Sequence, residues 1–300
     1  MVIHIIGQGP VGLLIASLIS DCGGSPIIVG KRPRNSPNLT YKRVALSGDA
    51  TDYALPYTYW DALKTQTIKL AIICTKAGDA FDAYRSALNC LAPEGHILFL
   101  NNGMGPQQEA LALSPGAVLL GINTHGAFMK SKQVLVHAGI GALTVGAPDN
   151  QKAKIRLPDC FEWTADINGA LWKKLGINAL INPLAVLHQC KNGALLDMVQ
   201  VQSLMTSMAD EIDQIAAAEG IVNLESEKAA RAVARRTAEN WCSSMQDYRA
   251  NRPTELPFIT GYLLTRGQSH GIPCPYQTRV YEDIKKLQAL RAATDDTNGR

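Results

Sequence analysis

Val2-Ile3-His4-Ile5-Ile6-Gly7-Gln8-Gly9-Pro10-Val11-Gly12 decides the fold. A short apolar run leads into G-x-G-x-x-G, and an apolar helical pattern over Val11–Ser20 follows. In that context the pattern is a dinucleotide-binding turn. Gly7 permits the tight turn, Gly9 lets backbone approach a pyrophosphate, and Gly12 brings helix and strand close. The N–H groups and positive end of the helix then face the phosphates. Gln8, Pro10 and Val11 complete the loop. The bland alternative is a tight strand-to-helix turn that binds nothing.

Outward from this turn, short β-type runs alternate with helical patterns. Strands are expected at Pro26–Val29, Leu70–Cys74, Ile97–Leu100 and Val118–Gly121, with helices near Ala80–Leu91 and after Pro106. Such alternation implies a parallel sheet covered on both faces. Gly126–Met129, Gln133–Gly139 and Ala142–Gly146 read as antiparallel strands joined by turns and closing one edge of the sheet. Beyond about residue 165 only helices are expected: Asn168–His188, Asp197–Glu219, Ser226–Ala250, Pro257–Ser269 and Pro275–Ala293. The fold class is α/β, a Rossmann-type domain over residues 1–165 followed by an all-α domain over 166–300. A length of 300 residues agrees with two cores.

Composition narrows the function classes. A net charge of +3 without a long Lys/Arg block does not imply nucleic acid. No run of about 18 apolar residues is present, so no membrane span is expected. The seven cysteines are scattered, odd in number and free of C-x-x-C, which argues against a disulfide framework and for a reducing compartment. Six dispersed histidines without His-x-x-x-His imply no metal site. His125, beside Thr124, is read as structural. A cytoplasmic enzyme, monomeric or homodimeric and acting on a small molecule, is the expectation.

The end of the second strand separates NAD from NADP. A carboxylate there binds the ribose 2′-hydroxyl, whereas a cation accommodates a 2′-phosphate. Here Ile27-Ile28-Val29-Gly30 runs into Lys31-Arg32-Pro33-Arg34, with no acid. Arg32 can grip a phosphate through a bidentate fork, which favours NADP over a merely solvated basic loop.

Leu171–Leu184 is the second informative stretch. It reads as a helix apolar nearly all round, yet Lys174, Asn178 and Asn182 recur at i, i+4 and i+8 and form one polar stripe. Polar groups on a buried helix need partners, supplied either by a polar substrate or by a structural hydrogen-bond network. A lysine in such a cleft can protonate a carbonyl oxygen as hydride reaches its carbon, and burial would lower its pKa. Asn102-Gly103-Met104-Gly105 and Thr75-Lys76 follow strands and so lie on the carboxyl rim of the sheet, where ligands of α/β folds bind. Glu255, beside apolar Leu256 and Phe258, is either a helix cap or a buried catalytic carboxylate.

Together these segments resemble the 2-dehydropantoate 2-reductase (ketopantoate reductase) family, in the 6-phosphogluconate-dehydrogenase-like group, over roughly residues 2–288. The resemblance rests on the glycine turn, Thr75-Lys76-Ala77, Asn102–Gly105, Thr124-His125-Gly126-Ala127, Leu171–Leu184 and Asn192-Gly193. It continues through Ser243…Gln246-Asp247, Thr254-Glu255 and Gly271-Ile272-Pro273 with Pro275. It implies Lys174 as the catalytic lysine and Glu255 as the carboxylate beside the nascent hydroxyl. It also implies Asn178, Asn182 and Ser243 at the substrate, and Asn102 between substrate and nicotinamide ribose. Arg32 and Lys76 become cofactor contacts. The implied reaction is NADPH-dependent reduction of 2-dehydropantoate to (R)-pantoate in pantothenate and coenzyme A biosynthesis. Reduction of another branched 2-oxo acid is the near alternative, and a non-catalytic NADP-binding sensor the distant one. Two departures stand out. Ser243-Ser244-Met245-Gln246-Asp247 leaves Ser243 or Ser244 in the family's serine position. Ile122-Asn123-Thr124 replaces a run of threonines in a loop near the cofactor.

Overall fold

The computed structural model describes residues 1–65, 67–148 and 155–298, the last seven of these by backbone alone. The chain divides into two units, Met1–Ile167 and Asn168–Arg300. In the first, β1 (Val2–Ile6), α1 (Pro10–Asp21) and β2 (Ser25–Gly30) form the expected opening. Then come β3 (Asn38–Val44), β4 (Ala50–Tyr59), β5 (Ile68–Ile73), α2 (Ala77–Asn89), β6 (Leu91–Phe99), α3 (Pro106–Leu113) and β7 (Val118–Asn123). The unit ends with β8 (Gly126–Ser131), β9 (Val134–Gly139), β10 (Leu143–Gly146) and β11 (Phe161–Trp163). Among the described residues the strands form one sheet, ordered β11-β10-β7-β6-β5-β1-β2-β4-β3-β9-β8. From β7 to β4 every pairing is parallel. Strand order reverses between β5 and β1, which is the switch point where α/β sheets bind ligands.

Helix α1 is buried nearly all round because the sheet lies on more than one side of it. Its Leu13, Leu14, Ile15 and Ile19 share a core with Ile3, Ile5 and Ile28, and also with Leu39, Tyr41, Tyr53 and Leu55 of β3 and β4. Polar contacts tie the same strands to it. The Tyr41 hydroxyl donates to the Leu13 carbonyl at 2.7 Å, and that of Tyr53 to Asp21 at 2.7 Å. Arg43 reaches both Ser17, at 2.9 Å, and Asp21, at 2.7 Å.

Strands β3, β4 and β11 were not expected. In β3 and β4 the inward residues alternate with exposed ones, and the charges of Lys42, Arg43 and Asp52 dilute the apolar signal. The three expected antiparallel strands do not close one edge. β8 pairs with β9 at one end of the sheet, whereas β10 pairs with β7 near the other. The registers Leu143↔Asn123 and Gly126↔Gly139 belong to one long hairpin, bent at Thr124–His125 and Ile140–Gly141, that serves both ends.

The second unit is helical: α4 (Ile167–His188, whose first residue falls in the first unit), α5 (Val199–Ala218), α6 (Ser226–Arg236), α7 (Ser243–Arg249), α8 (Leu256–Ser269) and α9 (Pro275–Asn298). The single helix expected over Ser226–Ala250 is two. After α6 the backbone turns to bond the Asn192-Gly193 loop, through Gly193 N–H to the Ala238 carbonyl and Asn192 N–H to that of Asn240, both at 3.1 Å. The Asn192 amide also donates to Thr237 at 2.9 Å. A Cβ on Gly193 would lie 2.6 Å from that of Ala238, so glycine is needed for the close approach. The Cys242 sulfur then caps α7 by accepting from Met245 N–H at 3.4 Å. Among the described residues no helix is long and apolar enough to cross a membrane, and no cluster of His, Cys, Asp and Glu could hold a metal ion.

Candidate active site

On the carboxyl rim of the first unit, each fingerprint glycine has a distinct steric reason. Gly7 has φ +125°, and a Cβ there would lie 2.8 Å from the Cys74 carbonyl carbon. A Cβ on Gly12 would lie 2.0 Å from the Gly7 oxygen, so any side chain would push α1 off the turn. A Cβ on Gly9 would meet nothing within 4 Å among the described residues beyond its chain neighbours. That open position is exposed, the first turn of α1 carries no acid, and no side chain caps it. The residues present therefore fit a pyrophosphate laid against the helix N-terminus.

The basic loop after β2 is shaped by a residue that the sequence reading passed over. Tyr57 in β4 donates to the Arg32 carbonyl at 2.6 Å, and the Arg34 guanidinium lies 5.4 Å from the Tyr57 ring centre. Lys31 pairs with Asp79 at 3.3 Å. Arg32 is exposed, and among the described residues its guanidinium makes no hydrogen bond or ion pair. Of the three cations it is the one uncommitted to a neighbour, which suits a ligand phosphate. Nothing in the local sequence reveals Tyr57, because β4 reaches β2 only through parallel pairing.

Lys76 is exposed and immediately precedes α2. Asn102 is half-buried in the loop after β6. That loop is held by the Asn101 amide to the Asn102 carbonyl at 3.0 Å and the Gln107 amide to the Gly103 carbonyl at 3.0 Å. Among the described residues the buried Asn101 and Gln107 side-chain oxygens accept no hydrogen bond.

In the second unit α4 has the expected character. Leu171, Trp172, Leu175, Ala179, Leu180 and Ile181 are buried around it. Lys174 and Asn178 are half-buried, and Asn182 is only 3% exposed. Among the described residues the buried Asn182 amide nitrogen has no hydrogen-bond partner, a costly state that a bound acceptor would relieve. Pro183 deepens the local polarity, since it has no N–H for the Ala179 carbonyl one turn back.

Glu255, 9% exposed, directly precedes α8, but its side chain does not cap that helix. It acts instead on Lys174. Burial pulls the Lys174 ammonium down from the ordinary 10.5 to about 8, and the Glu255 charge opposes that shift. The charge of Glu255 at the start of α8 is thus felt by Lys174 on α4, in a low-dielectric setting where each charge matters. Of the two serines, Ser243 is exposed at the start of α7 and Ser244 is 2% exposed. Asp247 binds Arg252 at 2.9 Å, so this motif residue serves the loop that leads to Glu255.

Comparison with known proteins gives the family of the chain. The family model described as ketopantoate reductase PanE/ApbA matches residues 3–150, and its C-terminal counterpart matches residues 166–288. A 2-dehydropantoate 2-reductase of Yersinia pestis is 33% identical over 96% of both chains. The corresponding protein of Vibrio cholerae is 32% identical over 96% of this chain and 98% of its own. The solved structure of a probable 2-dehydropantoate 2-reductase from Bacillus subtilis superposes with a TM-score of 0.79 at 27% identity, covering 96% of this chain and all of that one. The chain belongs to the ketopantoate reductase family of oxidoreductases.

Proposed function

We propose that this protein reduces the ketone of 2-dehydropantoate to (R)-pantoate with NADPH. The observation that carries the reading is Lys174: an ammonium tuned to about 8, opposed by Glu255, on a polar stripe of an otherwise apolar helix. An acid with a pKa near the working pH is suited to proton transfer. When bound, NADPH supplies the hydride to the carbonyl carbon. Lys174 hydrogen-bonds to the keto oxygen, offsets the negative charge that grows there and gives up its proton, so the product is the neutral alcohol. Glu255 accepts from the new hydroxyl and keeps Lys174 oriented. Asn178, Asn182 and Ser243 hold the polar groups of the substrate, with the unbonded Asn182 amide as a ready donor.

Residues 1–165 are assigned to the cofactor and 166–300 to the substrate. The backbone of Gly7, Gln8, Gly9, Pro10, Val11 and Gly12 would hold the pyrophosphate, and Arg32 the 2′-phosphate. Lys76 and Asn102 would contact the nicotinamide half, Asn102 also touching substrate. The test is the initial rate of NADPH oxidation with ketopantoate, with NADH and 2-oxoisovalerate as parallel controls. Turnover confined to ketopantoate and NADPH is expected. NADPH binding without ketopantoate turnover would discard the substrate and keep the fold.

A further inference from the structure

His125 is not a lone histidine. Its Nδ1 lies 3.0 Å from Nε2 of His137 in β9, and the same Nδ1 accepts from the Gly141 N–H at 3.2 Å. With Nδ1 assigned as acceptor of the Gly141 N–H, His137 is assigned as the donor from Nε2 to that same lone pair, and His125 keeps its own proton on Nε2. The contact occurs where the long hairpin bends. Around it, Asn123 Oδ1 accepts from the His125 N–H at 2.9 Å, and Thr124 Oγ1 accepts from the Ala142 N–H at 2.8 Å. A Cβ on Gly141 would fall 2.3 Å from the Thr124 carbonyl carbon, so the two arms of the bend touch at the backbone. Burial lowers the pKa of both rings; His137 further disfavours a charge on His125, and Arg43 disfavours one on His137, where a backbone contact to Gly139 opposes the shift.

The place of this bend gives it a function. It follows β7, which pairs in parallel with β6 through Phe99↔Leu120, and a Cβ on Gly121 would press on Leu100. Thr124–His125 therefore emerges on the carboxyl rim beside the loop that carries Asn102. The glycine turn follows β1 and the basic loop follows β2, so the pyrophosphate and 2′-phosphate lie on that side. The nicotinamide half of a dinucleotide falls on the β5–β6–β7 side of the switch point. We propose that His125 and His137 are positioning residues that fix the Thr124–His125 turn as a border of the nicotinamide subsite, and so set how tightly the nicotinamide end of the cofactor is held. Asn123, in place of the threonine run, is part of the same clamp.

This proposal rests on the NADPH reading above, and the experiment separates the two. NADPH and 2′,5′-ADP, which lacks the nicotinamide half, are titrated against wild type, His137→Ala, His137→Gln and His137→Asn. Gln places an amide N–H where Nε2–H stood, whereas Asn keeps an amide but is too short to reach. The Ala and Asn variants should bind NADPH about tenfold more weakly, the loss of one hydrogen bond of about 1.4 kcal/mol, and the Gln variant should recover most of it. All variants should bind 2′,5′-ADP as wild type does. Unchanged NADPH affinity in His137→Ala and His137→Asn would overturn the proposal. So would parallel weakening toward both ligands, which would mark a general structural role. Should His137→Ala fail to fold, the Gln and Asn variants decide alone. Wild type that binds neither ligand would refute the NADPH reading itself.

Discussion

At the residue scale the proposed chemistry turns on Lys174. Its lowered pKa has a definite sign: below about 8 the amine is charged and can donate, and above it the proton is lost. The rate of ketopantoate reduction should therefore fall by about tenfold per pH unit above that value, while oxidation of pantoate, which needs the neutral amine, should rise to a plateau there. A flat reduction rate across the same range would remove Lys174 as the acid. Lys174→Ala should lower kcat by about two orders of magnitude and leave NADPH affinity nearly unchanged. Arg32 makes a separate prediction, because it is exposed and its guanidinium is uncommitted among the described residues. Arg32→Ala should weaken NADPH binding much more than NADH binding in a fluorescence titration; equal weakening would deny it the 2′-phosphate. The stripe of Lys174, Asn178 and Asn182 was legible because i, i+4 spacing is a local property. That Glu255 acts on Lys174 rather than capping α8 was not, since both uses put a carboxylate at the same point in the chain.

At the element scale, helix ends are served by residues distant in sequence. Glu211 of α5 is 5% exposed, and its two oxygens accept from the Tyr276 and Gln277 N–H groups at 2.8 and 2.9 Å. These are donors of the first turn of α9, which no residue of that helix can satisfy, and the negative charge also suits the helix N-terminus. Glu211→Ala strands them and should cost about 2 kcal/mol. That corresponds to roughly 3 °C in the melting temperature measured by calorimetry. Glu211→Gln, which retains an acceptor, should lose less, and an unchanged melting temperature in the Ala variant would mean that water serves α9 instead. The division between α6 and α7 follows the same rule. Helical periodicity runs on through residues 237–242, but the backbone groups there are taken by the Asn192-Gly193 loop. No pattern within α6 announces that competitor.

At the scale of the whole molecule, all seven cysteines are free, and only Cys22 is exposed. Burial raises the pKa of several of them, to about 12 for Cys242. A thiol reagent should thus modify one cysteine quickly in the native protein and all seven after denaturation; a denatured count below seven would reveal a disulfide. The sequence by itself determined the glycine turn, the alternation that yields a parallel sheet, the helical second half and the polar stripe of α4. Each of these is written in neighbouring residues, as a period of two or 3.6 or as glycines at fixed offsets, and backbone geometry alone converts it to structure. Only the tertiary structure decided that β3 and β4 close over α1, that Tyr57 shapes the loop of Arg32, and that one bent hairpin serves both ends of the sheet. It alone decided that His125 meets His137 and that Glu255 acts on Lys174. These are contacts between segments far apart in the chain. They are selected by which buried surfaces fit and which polar groups find partners, and local periodicity carries no record of either.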